Sequence, residues 1–252
     1  MRAVILAAGR GSRMGAHTDE HPKCLVNVGG RTLLDRHRDA LDAAGVEEVG
    51  IVTGYCAETL TGRLSRDFHA PRWQETNMVV SLTAADDWLS TAPCLVAYGD
   101  IFYTADTVRS LVQASAELAI AYDPHWLELW AKRFADPLDD AETFRLRSDS
   151  TVAEIGRRAA STEEIQGQYM GLLRFTPPAW TRARDHLAAL TPATRDALDM
   201  TSLLQNLITT GEQILAIPRH GPWGEVDHPA DISLYTSILE HPSTSESKAG
   251  IA

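Results

Sequence analysis

The chain has 252 residues, 44% of them apolar and 23% charged, with a formal net charge of −11. That length suffices for one large α/β domain or two small ones; the acidic balance argues against nucleic acid as a partner, whose phosphate backbone needs a basic surface, and no run of about 18 apolar residues supports a membrane-spanning helix. Cys24, Cys56 and Cys94 are odd in number, far apart and without a Cys-x-x-Cys pair, which favours reduced thiols in a cytoplasm over a disulfide framework or a zinc site.

In chain order, residues 2–8 form a nearly continuous apolar run ending at glycine. It reads as a buried parallel strand rather than a secretion signal. Residues 32–44 place Leu33, Leu34, His37, Leu41 and Ala44 on one helical face, with Gly45 as the stop. Strands are expected at 49–53, 94–98 and 118–122, and helices at 79–89 and 106–116. This alternation predicts an α/β fold, a single Rossmann-like doubly wound sheet, mixed but mainly parallel, with ligands at the carboxyl ends of its strands. Residues 142–147, 151–155 and 169–175 predict shorter strands, a small antiparallel extension beside the site. A helix at 200–210, a strand at 213–217 and a helix at 230–239 complete a domain expected over 1–240. Residues 241–252 are small, polar and proline-bearing, and predict a disordered tail.

The chemistry starts directly after the first strand, where residues 6–15 read LAAGRGSRMG. Gly9 and Gly11 let the backbone turn tightly and bring N–H groups against phosphate oxygens. Ser12 adds a hydroxyl donor and Arg13 a permanently charged planar fork; Lys23 follows in HPKCLV. Neither G-x-x-x-x-G-K-[ST] nor G-x-G-x-x-G fits this spacing. Further along, LVAYGDI (95–101) is an apolar strand ending in Asp100, where an α/β sheet presents ligands. An acid there can hold Mg²⁺ through oxygen, or cap a helix. If 224–226 is extended, Glu225 and Asp227 point to the same face; one could ligate metal while the other orients it, or both could cap the helix beginning near Pro229.

Tyr122, Asp123, Trp126, Trp130, Tyr169 and Trp223 supply aromatic surface with one acid, and Trp126 and Trp130 are four apart on one helical face. Such a set can cage a cationic group, each cation–π contact being worth about 0.5–2 kcal/mol, or can simply be core packing. The nine histidines form no metal-ligand cluster, so zinc is not expected, and Cys24 reads as a packing residue.

The combination LAAGRGSRMG…HPKCLV resembles the sugar-nucleotide pyrophosphorylase-like nucleotidyltransferases. PRWQETNMVVSL (71–82), AYGDI (97–101), HWLELW (125–130), EIGRR (154–158), IQGQYMGLLRF (165–175), LDMTSLLQ (198–205) and WGEVDHPADISLY (223–235) narrow it. Across residues 1–235 the chain is similar to the phosphocholine cytidylyltransferase group and its relatives acting on aminophosphonates. The resemblance implies nucleotide contacts at Leu6, Ala7, Ala8, Gly9, Gly11, Ser12, Arg13, Lys23, Asn77, Ser81 and Asp100. It also implies Mg²⁺ on Asp100 and Asp227, with Arg13 and Lys23 sharing in catalysis. On the acceptor side we expect Asp123, Trp126, Trp130, Gln168, Tyr169, Trp223 and Glu225, with Gln166 nearby and Arg157 or Arg158 on the acceptor phosphate. The implied activity is CMP transfer from CTP to a small phosphate or phosphonate acceptor with a cationic, phosphocholine-like head, releasing pyrophosphate. Small molecules would be its partners, with neither nucleic acid nor membrane, in the cytoplasm; a homodimer stays open. The alternatives are a sugar-1-phosphate or other acceptor with UTP, dTTP or GTP, and a non-catalytic nucleotide-binding regulatory module.

Overall fold

Val4 and Ile5 in the first strand, Arg2–Ala7, are fully buried. A strand covered on both faces needs parallel neighbours joined by helical crossovers. In the computed structural model, which describes residues 1–241, the first strand pairs in parallel with Glu48–Thr53 on one side and Cys94–Tyr98 on the other. The seven-stranded sheet runs Ile214–Pro218, Leu118–Asp123, Gln168–Phe175, Cys94–Tyr98, Arg2–Ala7, Glu48–Thr53, Arg66–His69. All are parallel except Gln168–Phe175, antiparallel to both neighbours. Sequence order reverses at Arg2–Ala7 and Cys94–Tyr98, so their carboxyl ends form the crevice in which such sheets bind ligands.

Two expectations are corrected. The third strand of the supposed extension lies within the central sheet: Met170 to Phe175 are buried at every position, as a strand covered on both faces must be. Only Glu142–Leu146 and Val152–Arg158 form the separate antiparallel pair. The helix expected over 79–89 is broken into Met78–Leu82, a 3₁₀ turn Thr83–Ala85, and Asp86–Thr91. The Thr83 hydroxyl donates to the Val80 carbonyl at 2.6 Å, a local bond that competes with continuation of the helix.

The other helices begin where caps are available. Thr32 accepts from the Asp35 N–H to start Leu33–Ala43, and Asp199 accepts from Ser202 to start Met200–Thr209. Helices Pro177–Ala189 and Pro192–Ala197, not foreseen from the sequence, each open on proline at a first-turn position. Trp126–Arg133 follows the Leu118–Asp123 strand, and Pro229–Glu240 closes the described chain. Among the described residues no helix is long and apolar enough to cross a membrane. Beyond His241, the expected tail lies outside the described residues.

Candidate active site

The glycine-rich loop and the Asp100 turn meet at the sheet crevice. Gly99 N–H donates to the Leu6 carbonyl at 2.8 Å, and a Cβ on Gly99 would lie 2.5 Å from that oxygen. Only glycine lets the two strand ends close so tightly. Gly11 has φ +69, and a Cβ there would meet Lys23 Cε at 2.9 Å; the loop is thereby wrapped around the Lys23 stem. The cavity that results is lined by Leu6, Ala7, Ala8, Gly9, Gly11, Lys23, Asn77, Ser81 and Asp100, all expected on the nucleotide side. Trp73, Thr76, Met78 and Tyr98 also line it and were missed; the PRWQETNM stretch that holds the first three was a sequence signal for them. Asn77 is partly committed, since its Oδ1 caps Met78–Leu82 and its Nδ2 donates to the Ala197 carbonyl. Ser12 is exposed at the start of the 3₁₀ turn Ser12–Thr18.

The second acidic segment reaches Asp100 through a short antiparallel pairing. Gly224–Glu225 aligns with Ile101–Phe102, and Val226 N–H donates to the Asp100 carbonyl at 2.9 Å. Extended backbone then turns Glu225 and Asp227 to one side, and one carboxylate oxygen each from Asp100, Glu225 and Asp227 lies within 4.8 Å of the others. Asp100 Oδ1 is buried and has no hydrogen-bond partner among the described residues. Three converging carboxylates, with an unsatisfied oxygen on Asp100, fit a cation such as Mg²⁺.

Cations already crowd this triad. Lys23 Nζ donates to Asp100 Oδ2 at 2.8 Å and to Asp227 Oδ1 at 2.7 Å. Arg13 Nη2 reaches the same Asp227 oxygen at 2.9 Å. Burial works against the Lys23 charge, but Asp100 and Asp227 outweigh it and raise its pKa above the usual ammonium value. Burial likewise disfavours ionised Asp227, yet Lys23, then Arg13 and Arg133, hold its carboxyl below the ordinary value. Glu225 goes the other way: burial, then repulsion from Asp227 and Asp100, push its pKa well up.

Arg133 was not singled out by the sequence reading. Its side chain is 1% exposed and lies 3.2 Å from Asp231, 3.6 Å from Asp227 and 4.0 Å from Glu225. Asp231 in turn accepts from the Asp227 and His228 N–H groups at 2.8 and 2.9 Å. The signal was available: Arg133 continues the i, i+4, i+7 face begun by the buried Trp126 and Trp130, and an arginine on a buried face must find acids.

A second cavity opens on the other side of the triad. It is lined by Arg13, Met78, Tyr98, Trp130, Gln168, Tyr169, Glu225 and Asp227, together with Asp140, Glu142, Asp199 and Thr201. Met78 and Tyr98 border both cavities, so the acids stand at their junction. Of the expected acceptor residues, Trp130, Gln168, Tyr169 and Glu225 are brought here. Asp123, Trp126 and Trp223 are not, and the aromatic cage is corrected accordingly. Asp123 is fully buried and satisfied by Arg219 Nε at 2.7 Å, the Trp223 indole N–H at 2.8 Å and the His125 N–H at 2.8 Å. Trp126 donates to the Ile165 carbonyl at 3.2 Å. These groups are packing because each already has its polar partner inside the protein. Tyr122 stacks on Phe144, Gln166 accepts from Leu146 N–H, and Arg157 and Arg158 are exposed, Arg157 paired with Glu154. None of these four lines the second cavity.

Comparison with known proteins agrees with this geometry. The MobA-like NTP transferase domain matches residues 3–161. The CTP:phosphoglutamine cytidylyltransferase of Campylobacter jejuni subsp. jejuni serotype O:2 is 34% identical over 253 residues, covering 93% of this chain and 98% of that protein. Among solved structures, the inositol-1-phosphate CTP transferase from T. maritima matches with a TM-score of 0.74 at 18% identity, covering 100% of this chain and 97% of the other. The CTP:phosphocholine cytidylyltransferase from Streptococcus pneumoniae matches at 0.70 and 18% identity, covering 94% and 98%. At that identity the two structures speak for the fold alone.

Proposed function

The chain belongs to the MobA-like NTP transferase domain family, and on that premise we propose that it transfers CMP from CTP to a small phosphate- or phosphonate-bearing acceptor with a cationic head. The observation that carries this reading is the Lys23–Asp100–Asp227 contact at the junction of two cavities. One cavity would take the nucleotide and the other the acceptor. The full-length relative acting on phosphoglutamine supports CTP as donor and a phosphorylated acceptor. Glutamine carries an α-ammonium group, so such an acceptor is compatible with a cationic head.

In this reading, an acceptor phosphate oxygen attacks the α-phosphorus, the bond to the bridging oxygen breaks, and pyrophosphate leaves with its electron pair. The attacking oxygen is already anionic, so no general base is needed; catalysis is charge neutralisation and in-line positioning. Asp100 and Asp227 would hold Mg²⁺, with Glu225 beside them, and the ion would supply charge neutralisation at the phosphates. Gly9 and Gly11 would open the loop backbone to the triphosphate, and Arg13 and Lys23 would exchange carboxylate partners for phosphate oxygens. Leu6, Ala7, Ala8, Asn77 and Ser81 would line the nucleoside.

The test is a pyrophosphate-release assay crossing four NTPs with phosphoglutamine, phosphocholine, 2-aminoethylphosphonate and glucose 1-phosphate. We expect Mg²⁺-dependent turnover with CTP and an amine-bearing acceptor. Asp100→Asn and Asp227→Asn should each lower kcat at least about 100-fold while the protein stays folded. Preference for UTP, dTTP or GTP with glucose 1-phosphate would replace this reading by the sugar-phosphate one. Binding of nucleotide without turnover of any pair would favour a regulatory module.

A further inference from the structure

The second cavity is walled by acid, and its aromatic faces are largely taken. Asp140, Glu142 and Asp199 line it together. Asp199 is partly occupied, accepting from Ser202 N–H at 2.8 Å and from the Thr201 hydroxyl at 3.3 Å. Asp140 feels the charges of Arg133, Arg13 and His228, and Glu142 is hydrogen-bonded to Thr201. Burial, then repulsion from Asp199, pushes Glu142 up to about 7, and burial raises Asp140 as well. Arg13, the cation in this wall, is paired with Asp227 at 2.9 Å, so three further acids gathered beside it would be better satisfied by a positive ligand.

Trp130 supplies an independent observation. It is 3% exposed, borders the same cavity, and its indole N–H has no partner among the described residues. Its ring is poorly placed to cage a cation. The Arg133 guanidinium lies 5.2 Å from its centroid, Trp223 sits tilted against it at 6.0 Å, and Trp126 meets it at 6.2 Å. With Trp126 and Trp223 behind the wall, Tyr98 and Tyr169 are left, and their rings pack edge-to-face against each other at 5.9 Å, so that one face is covered by the other ring. A quaternary ammonium, which depends on open aromatic faces, would find few of them.

Resting on the reading of this cavity as the acceptor site, we infer that the acceptor's head is an ammonium bearing N–H donors, held by Glu142 and Asp140 with help from Asp199. The Trp130 N–H would take an oxygen adjacent to that head. Charge-assisted N–H···O bonds are short and directional. Replacing N–H by N–CH₃ keeps the charge but removes the donor and holds the carboxylates away from it, and sites built for hydrogen bonds discriminate strongly against such analogues.

The experiment keeps phosphate and net charge constant and varies only the N–H count. The full chain, with Mg²⁺ and CTP, is assayed with 2-aminoethyl and 3-aminopropyl phosphate and their N-methyl, N,N-dimethyl and N,N,N-trimethyl forms. We expect kcat/KM to fall with each methyl group, by about 100-fold over the series, at constant KM for CTP. Glu142→Gln, which preserves shape, should lower use of the primary amine more than that of the trimethyl form and so flatten the series. Equal or better use of the trimethyl form, an unflattened series in Glu142→Gln, or equal use of an uncharged hydroxyalkyl phosphate would each overturn the inference while leaving nucleotidyl transfer intact. Failure of every acceptor, including those of the wider NTP panel, would overturn the site reading and this inference with it.

Discussion

Replacing Lys23 by methionine should strengthen metal binding while crippling turnover. The Lys23 ammonium lies 2.8 Å from Asp100 and 2.7 Å from Asp227, the two carboxylates proposed to hold the metal, so ammonium and metal compete for the same oxygens. A hydrogen bond to a charged group is worth about 1.5–3 kcal/mol. Part of the two-bond total returns when the displaced ammonium finds water, so the net competition is on the order of one such bond. That corresponds to metal binding about 10- to 150-fold tighter in Lys23→Met without nucleotide. Removing the lysine also increases repulsion among the three acids, a strain that a divalent ion relieves better than a monovalent one. Mn²⁺ titration at pH 8, followed by calorimetry or water-proton relaxation, measures this directly, with Asp100→Asn as the control that loses binding. In parallel, kcat/KM should fall at least about 100-fold, because the lysine's bonds to phosphate strengthen in the transition state. Unchanged or weaker Mn²⁺ binding in Lys23→Met would refute the competition, and wild-type turnover would remove Lys23 from the mechanism.

Two further outcomes follow from groups around the junction. Arg133→Met should cost about 3–5 kcal/mol, because it leaves Asp231 buried without its cation and takes from Asp227 one of the three cations around it; this lowers Tm by roughly 6–20 °C. Arg133→Lys should fall between, since lysine keeps the charge but cannot fork to Asp231, and a melting curve indistinguishable from wild type for the methionine variant would contradict the assigned contacts. Glu142 gives a pH signature: its pKa is higher folded than unfolded through burial and then Asp199. The folded state therefore binds its proton more tightly, and the stability it lends is full below the unfolded value near 4.5 and lost as pH rises to about 7. Glu142→Gln should flatten that part of the Tm–pH curve relative to wild type, and identical slopes for the two proteins would show that Glu142 titrates normally.

Much of this molecule was legible in the one-dimensional sequence. Residues 2–8 read as a buried strand because continuous apolar character needs cover on both faces, and the first strand is Arg2–Ala7. The turn at Gly11 was legible because tight turns are local properties of a few consecutive residues. Alternation along an extended chain likewise placed Glu225 and Asp227 on one side, where they meet Asp100. Periodicity failed where the answer depended on partners distant in the chain. It put Trp126 and Trp130 on one helical face, yet could not tell that Asp123 is satisfied by Trp223 and Arg219 inside the core. Nor could it show that Gln168–Phe175 inserts antiparallel between two parallel strands. That insertion brings Gln168 and Tyr169 into the wall shared with Glu142 and Asp199. Side-chain period fixes which face of an element is buried, through backbone geometry alone. Which polar groups then meet across that face is set by long-range register and by the need of every buried charge for a partner, and only the tertiary structure decides it.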